Sequence, residues 1–358
     1  MYKKVFIYCY KGILYMFITV VFLIGLPLLI LHNQVKVSTN EKAPSIDYSI
    51  NLGSVLYKDG VTGEEPIVKV YMEKESTSIS LELEEYVRGV VCAEMPAEFN
   101  VEALKAQAVA ARTYALAHMK AFGGVNSSKA KGSDVTDGTN DQVYLDKTKS
   151  LKKWPSKSGN EYWDKVTKAV SATFGEILTY DGVLVKEPYY FATSSGKTED
   201  ALEVLLKDIP YLKSVDSTGE NLAPKYKSSI KFSNSVFITK IKESYPKASL
   251  SASKLSSQIK ISSARTKGGS VKEINIGGIK ISGILFRSLL NLNSANFTIQ
   301  YNSKEVQINC IGYGHGLGMS QWGANGLANS GNSYKVILSH FYTGTNVTKM
   351  NWKEENLK

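Results

Sequence analysis

The stretch that decides the fold runs from residue 80 to residue 119 and contains two helical patterns in succession. The first is Ser80–Met95, SLELEEYVRGVVCAEM, and the second is Asn100–Met119, NVEALKAQAVAARTYALAHM. In the first pattern apolar residues recur at helical spacing, and Pro96 ends it because proline cannot continue a helix. In the second pattern the many alanines give a high helix propensity and allow a neighbouring element to approach closely. The short link between the two patterns predicts a helix hairpin.

Both predicted helices begin with a capping signal. Ser80 can cap the first helix, and acidic residues follow in its first turn, where the helix dipole favours negative charge. Asn100 is a good N-cap for the second helix, and Phe99 and Leu104 stand at the spacing of a hydrophobic staple. The two helix starts are therefore expected at residues 80 and 100.

Glu94 lies on the apolar stripe of the first predicted helix, one turn after Val90. A carboxylate is costly to bury in its charged form, so desolvation raises its pKa and lets it hold a proton near neutral pH. A general acid that cleaves a glycosidic bond needs this property. The alternative, which the pattern leaves open, is a carboxylate at a helix end that turns to solvent or pairs with a base.

Other candidate residues lie in the second helix and in a polar turn. Lys105 and Arg112 are seven residues apart on one helical face, where they could hold a substrate or form an ordinary solvated basic face. Ser194 and Ser195 follow a predicted strand, but no Gly-x-Ser-x-Gly elbow surrounds them. A turn that contributes hydroxyl hydrogen bonds is therefore favoured over a serine nucleophile.

A glycine-rich block near the C-terminus, GYGHGLGMSQWGA at residues 312–324, is hard to explain by packing alone. Alternating glycines let a backbone approach a ligand and present its N–H groups. His315 in the block could donate, accept or titrate. The block lacks the Lys-Ser/Thr ending of a P-loop and the spacing of a dinucleotide-binding loop. A flexible loop is the alternative.

The N-terminus predicts a membrane anchor. Residues 12–31 carry no charge and are long enough to span the hydrocarbon core as a helix, and three lysines precede them. This pattern predicts a cytoplasmic tail at 1–11, a transmembrane helix at 12–31, a linker at 32–62 and an exocytoplasmic catalytic domain at 63–350. A cleaved signal peptide is disfavoured, since no small-x-small cleavage site follows the apolar run.

The remaining patterns indicate an α+β fold, because helices and strands do not alternate regularly. Residues 217–305 are rich in Ser and Lys and predict a strand-rich insert or subdomain within the mixed helix/strand domain. Cys92 and Cys310 would both lie outside the membrane, and the sequence leaves open a disulfide or two buried thiols. The net charge of +10 favours anionic partners, but the predicted topology argues against nucleic acid.

Taken together, these segments resemble the stage II sporulation protein D family of peptidoglycan lytic transglycosylases. The resemblance covers roughly residues 67–345, and its pieces occur in the order of the family. The pieces are Leu83–Pro96, Ala103–Ala115, Gln142–Tyr144, Ser194–Glu199, Phe286–Leu290 and the block from Gly314 to Gln321. A set of this kind is far more specific than any single motif. The short anchored architecture is similar to the sporulation protein itself rather than to the related amidase enhancers.

The resemblance implies that Glu94 catalyses cleavage between N-acetylmuramic acid and N-acetylglucosamine in peptide-stripped glycan strands. The implied product ends in a 1,6-anhydro sugar, and the implied partners are a sporulation amidase and a membrane scaffold at the engulfing septum, on the mother-cell side. Some relatives place a Cys and a His, suited to zinc, just before Gln142, but residues 134–141 contain neither. We therefore expect no metal and no cofactor. The residues predicted to bind the sugar are Lys105, Arg112, Tyr114, Ser194, Ser195, His315 and Gln321.

Two other functions remain open from the sequence. One is a wall-binding protein that activates a sporulation amidase without cutting glycan, which the positive charge fits equally well. The other is hydrolysis by two carboxylates, with Glu98 or Glu102 beside Glu94.

Overall fold

The computed structural model describes residues 64–350. The predicted tail, transmembrane helix and linker, at 1–62, lie outside the described residues. Within residues 64–350, no helix is both long and apolar enough to cross a bilayer.

The described chain is a mixture of helices and strands, so the predicted α+β class is confirmed. The strands are β1 Ile67–Met72, β2 Thr77–Glu82, β3 Val135–Thr136, β4 Glu176–Tyr180, β5 Val183–Leu184, β6 Tyr190–Phe191, β7 Lys227–Ser233, β8 Ile259–Ile261, β9 Ile274–Ile276, β10 Ile279–Ile281, β11 Phe297–Tyr301, β12 Glu305–Ile311, β13 Met319–Ser320 and β14 Asn346–Lys349. The helices are α1 Leu83–Glu94, α2 Val101–His118, α3 Lys147–Lys153, α4 Gly159–Ala172, α5 Ala201–Val204, α6 Asn234–Ser244, α7 Leu255–Gln258, α8 Gly283–Leu290, α9 Gln321–Asn329 and α10 Tyr334–Phe341.

The strands form small separate sheets rather than one large sheet. Their orders are β2-β1-β3, β14-β4-β5, β10-β9-β8 and β11-β12-β7, with a two-stranded pair of β13 and β6. Most pairs are antiparallel, but β13 runs parallel to β6, and Ser320 stands opposite Phe191. This parallel pair brings the glycine-rich block next to the strand that contains Tyr190.

The predicted helix hairpin is present, with one correction at its start. The first helix begins at Leu83, because residues 77–82 form strand β2 and pair with β1, where Ser80 stands opposite Lys69. Ser80 therefore does not cap the helix. The backbone groups of residues 77–82 hydrogen-bond to strand β1 instead. At the second helix the prediction is confirmed, since the side chain of Asn100 accepts a hydrogen bond from the N–H of Glu102.

Helix α2 is the centre of the larger of two hydrophobic cores. Fourteen of its 18 residues are buried, so it has no broad solvated face. It packs against α1, α4, α9, α10 and β4. The alanines make this possible because small side chains let five elements approach one helix closely.

The second core lies between Phe232 and Cys310 and is formed by strands β7–β12 and helices α6–α8. Cys92 belongs to the first core and Cys310 to the second. Both thiols are free and buried. The sequence left their pairing open, and the structure favours the two buried thiols.

A buried ion pair joins α1 to α2. Arg112 is 0% exposed and its Nε and Nη2 donate to the two carboxylate oxygens of Glu84, each at 2.6 Å. Its Nη1 donates to the carbonyl of Glu176 at 2.9 Å, and Glu84 also accepts from the N–H of Gly175. Arg112 thus has no exposed atom with which to hold a substrate. The prediction that Arg112 binds the sugar is therefore wrong, because the alanines that allow close approach do not show which faces of α2 are covered.

We expect Arg112→Met to lower the free energy of unfolding by about 3–5 kcal/mol, because it leaves the charge of Glu84 buried without a partner. The double variant with Glu84→Gln should lose less than the sum of the two single variants. Urea unfolding measures all three. The control is Lys105→Met on the same helix, whose ion pair with Glu102 is partly solvated and should contribute less than about 1 kcal/mol. Equal losses at Arg112 and Lys105 would contradict a buried pair.

Candidate active site

Glu94 is the last residue of α1, and its carboxylate is held by two donors from distant parts of the chain. The backbone N–H of Val143 donates to its Oε1 at 2.9 Å. The side chain of Gln321, the first residue of α9, donates a second hydrogen bond. The segment at residue 143 and the C-terminal block, both noted in the sequence, therefore meet at Glu94.

The surroundings of Glu94 raise the pKa of its carboxyl group above the ordinary value of 4.5. Desolvation is the largest cause, because burial disfavours the charged form. The two donors and the positive charge of Lys153 act in the opposite direction but do not offset it. Lys153 itself donates to the carbonyl oxygens of Cys92 and Ala93, at 3.0 and 2.9 Å, and so satisfies backbone groups at the end of α1. The result is a carboxyl group that retains its proton to higher pH than an exposed glutamate.

A network of tyrosine and glutamine side chains lies beside Glu94. The hydroxyl of Tyr86 donates to Oε1 of Gln142 at 3.1 Å, and Nε2 of Gln142 donates to the hydroxyl of Tyr190 at 2.8 Å. Burial raises the pKa of Tyr190, and the charge of Glu94 raises it further. All three residues are therefore neutral hydrogen-bonding groups. The sequence analysis did not predict Tyr86 or Tyr190 as site residues.

An open cleft of about 260 Å³ lies next to this network. Tyr114, Asp141, Tyr190 and His315 are among the residues that line it. The hydroxyl of Tyr114 donates to Asp141 at 3.1 Å, and the other oxygen of Asp141 accepts from the N–H of Thr136. Tyr190 belongs to both the cleft and the network, so it connects the cleft to the surroundings of Glu94.

His315 has both ring nitrogens engaged. The N–H of Leu317 donates to Nδ1 at 3.1 Å, so Nε2 carries the hydrogen, which it donates to the carbonyl of Tyr190 at 3.0 Å. Desolvation of the ring, together with the positive charge of Arg287, lowers the pKa of His315 to about 4. A histidine of this kind is neutral at physiological pH. Through these two hydrogen bonds it holds the glycine-rich block against β6.

Gln321 is the residue through which the C-terminal block reaches Glu94. It is 5% exposed and follows Ser320, whose side chain caps α9. Its Nε2 also lies 3.4 Å from Oε1 of the fully buried Gln107 on α2. Nε2 of Gln107 is a buried donor that has no partner among the described residues. Helix α2 thus contributes a buried amide to the second shell of polar groups around Glu94.

The other predicted sugar-binding residues make contacts elsewhere. Lys105 forms an ion pair with Glu102 at 2.7 Å and lies over the ring of Tyr334. Ser194 is 4% exposed and donates to the carboxylate of Glu220, which also accepts from Thr193 and Ser217. The hydroxyl of Ser195 donates to the carbonyl of Gly268 at 2.6 Å.

The structure therefore brings together some of the predicted site residues and separates others. Gln321 contacts Glu94, and Tyr114 and His315 line the cleft, whereas the hydroxyls of Ser194 and Ser195 hydrogen-bond within the fold. Within residues 64–350, no three His, Cys, Asp or Glu side chains are grouped as metal ligands. The site is thus the desolvated carboxyl group of Glu94 beside a cleft lined by aromatic side chains and Asp141.

We expect Glu94→Gln to be more stable than the parent chain at pH 8, and the difference to shrink as the pH falls. The folded-state pKa of Glu94 lies above its unfolded value, so the stability it contributes is complete below the unfolded pKa and is lost as pH rises through the folded pKa. The glutamine of the variant has no carboxyl group that could titrate at this position. Unfolding free energies from pH 3 to 8 measure the difference. A difference that stays constant, or that shrinks as the pH rises, would contradict a desolvated Glu94.

Comparison with known proteins supports the resemblance drawn from the motifs. A family model described as Stage II sporulation protein matches residues 71–180, which contain α1, α2 and the Val143 segment. Stage II sporulation protein D of Bacillus amyloliquefaciens is 40% identical over 80% of each chain, and that of Bacillus subtilis (strain 168) is 38% identical over 79% of each. An amidase enhancer of Bacillus subtilis (strain 168) is 28% identical over 73% of this chain and 40% of the enhancer. With about four-fifths of its length aligned to such relatives at 38–40% identity, this chain belongs to the stage II sporulation protein D family, which acts in sporulation.

Proposed function

We propose that this chain is a lytic transglycosylase that cleaves the bond between N-acetylmuramic acid and N-acetylglucosamine in peptide-stripped glycan strands. The product ends in a 1,6-anhydro sugar, and the reaction remodels the septal wall during engulfment. The observation that carries the proposal is the raised pKa of Glu94, a carboxyl group at the end of α1 with one backbone and one side-chain donor. Such a group keeps its proton to higher pH than an exposed glutamate, and it can release that proton to a sugar oxygen.

One carboxyl group is sufficient for the reaction. Protonated Glu94 donates its proton to the glycosidic oxygen as the bond from that oxygen to C1 of the muramic sugar breaks. The carboxylate then accepts the proton of the C6 hydroxyl as O6 bonds to C1, so no water is consumed and Glu94 is protonated again. Both steps favour a pKa near the working pH. The N–H of Val143 and the side chain of Gln321 hold the carboxylate of Glu94 in place between the two proton transfers, while it is charged.

Hydrolysis by a second carboxylate is less well supported by the contacts. One oxygen of Glu102 accepts from Lys105 and the other accepts from the N–H of Tyr334. Both oxygens are therefore engaged, and this carboxylate is not free to act as a base. Asp141 in the cleft likewise has both oxygens engaged, by Tyr114 and Thr136. Reaction in water enriched in oxygen-18 separates the two chemistries, because hydrolysis places the label in the product and transglycosylation does not.

A non-catalytic activator of a sporulation amidase is the second candidate, and the distant likeness to an amidase enhancer favours it. An activator alone leaves purified glycan strands at their original length, whereas the enzyme shortens them. We also propose that residues 12–31 anchor the chain with its N-terminus in the cytoplasm. In this topology the domain at 63–350 works outside the cell membrane, on the mother-cell side of the septum, together with the amidase and a membrane scaffold.

We expect Glu94→Gln to abolish the anhydro product, because the amide cannot transfer the proton. Mass spectrometry of glycan strands treated with the purified chain detects that product. The matched control is Glu98→Gln, an exposed carboxylate four residues further on, which should retain activity. Anhydro product from Glu94→Gln would refute the assignment, and loss of activity in Glu98→Gln would favour the two-carboxylate mechanism.

We expect Gln321→Leu to move the alkaline limb of the pH profile of kcat/KM to higher pH. The side chain of Gln321 donates to Glu94 and lowers its pKa, so removal of this donor raises the pKa further. The general acid then stays protonated to higher pH. An alkaline limb that stays in place or moves to lower pH would show that Gln321 does not act on the reacting group.

A further inference from the structure

The positive charge of the chain is concentrated in one part of the fold. Residues 225–311, here called the basic lobe, contain the second core and carry 14 Lys and Arg against three Glu, a net charge of +11. The rest of the described chain carries 21 basic and 25 acidic residues, a net charge of −4. The net charge of residues 64–350, +7, therefore arises from the basic lobe, and the rest of the chain adds +3 to reach the total of +10.

The charges of the basic lobe are accessible and mostly unpaired. Eleven of its twelve lysines are exposed, and Lys240 is half-buried. Four of them form ion pairs, with Glu305, Asp200, Glu203 and Glu273. Those without an acidic partner within residues 64–350 are Lys225, Lys227, Lys240, Lys242, Lys247, Lys254, Lys260 and Lys304. An ordinary soluble surface mixes both signs of charge more evenly, whereas here lysines far outnumber acidic residues.

Four of the twelve lysines stand on the outer faces of two sheets that share one core. In the sheet β10-β9-β8, Lys260 and Lys280 both stand opposite Asn275. In the sheet β11-β12-β7, Lys227 and Lys231 stand opposite Ile311 and Gln307. Isoleucines on the inner faces of both sheets pack into the second core, so both outer faces point away from it.

The second of these sheets also borders an open cleft of about 400 Å³. Lys227 lines this cleft together with the hydroxyls of Ser229 and Thr298 and the amide of Asn309. Register places Asn309 directly between Ser229 and Thr298 on neighbouring strands. The exposed wall of this cleft is mainly apolar, and Lys227 supplies one positive charge at its edge, which can bind a phosphate group.

We infer that the basic lobe binds a flexible polymer of repeating polyol phosphates, of the type found in cell walls. The assignment of the polymer to the cell wall rests on the proposed function. The binding itself rests on the charge of the lobe, the exposure of its lysines and its cleft. Such contact would hold the enzyme along the wall while the cleft beside Glu94 meets successive glycan strands.

A flexible polymer fits this surface better than a bilayer does. A planar membrane contacts one side of a protein, whereas the lysines of the basic lobe lie on two sheets and on helix α6, where Lys242 is exposed. A polymer chain can follow charges around the lobe. Exposed lysines attract phosphates mainly through long-range electrostatics, so the binding must weaken steeply as salt is added.

The test uses the full chain in neutral detergent and poly(glycerol phosphate) as the probe, with vesicles of phosphatidylglycerol and duplex DNA as competitors. The lobe variant combines Lys227→Gln, Lys242→Gln, Lys254→Gln and Lys260→Gln. The matched control combines Lys129→Gln, Lys152→Gln, Lys157→Gln and Lys168→Gln, which are exposed, unpaired within residues 64–350 and outside the lobe. Both variants lose the same net charge, so only the position of the charge differs.

We expect the Kd for poly(glycerol phosphate) to rise at least about tenfold in the lobe variant and less than about twofold in the control. Equal losses in the two variants, no binding at low salt, or tighter binding to the vesicles or to DNA would overturn the inference. Cleavage of peptide-stripped glycan should persist in the lobe variant. If the parent chain fails to cleave glycan but binds the polymer through the lobe, the proposed function fails and the binding surface stands.

Discussion

The buried pair of Arg112 and Glu84 is the constraint on which the position of the site depends. Glu84 lies in the first turn of α1, and Glu94 ends the same helix, about 15 Å further along at 1.5 Å per residue. Nε and Nη2 of Arg112 both donate to the carboxylate of Glu84, and Nη1 donates to the carbonyl of Glu176. These bonds hold α1 against both α2 and β4. A helix fixed at one end in this way presents its other end, and the carboxyl group there, in a defined place.

The chemistry of Glu94 arises from groups that are remote in the sequence. Val143 supplies a backbone donor and Gln321 a side-chain donor, and each favours the charged form. Desolvation outweighs them, and the carboxyl group keeps its proton to higher pH. The neutral His315 fixes the glycine-rich block against Tyr190, so that the block supports the cleft without competing for protons. In the proposed mechanism, proton transfer and positioning are therefore carried by different residues.

The periodicity of the sequence predicted the helix hairpin and pointed to the candidate acid, but it did not predict helices α6 to α8 within residues 217–305. Spacing alone placed Glu94 on the apolar face of its helix, and Asn100 marked the next helix start. The prediction was wrong at Ser80, because the same small polar residues occur in short strands and at helix N-caps. It also failed at Arg112, because an alanine-rich helix gives no sign of which faces are covered. The link from Tyr86 through Gln142 to Tyr190 could not be predicted, since it joins segments 48 and 56 residues apart. The Lys-rich stretch at residues 217–305 was visible in the sequence as an insert or subdomain, but the separate core that it shares was not.

The central claim is that Glu94 is a desolvated proton donor, and its own titration tests that claim most directly. Carbon-13 NMR of the side-chain carboxyl, assigned by comparison with Glu94→Gln, follows the proton on this one group as the pH changes. The account predicts a midpoint above 4.5, the ordinary value for glutamate. A midpoint at or below that value would mean that water and the two donors stabilise the charged form, and Glu94 could not then serve as the acid.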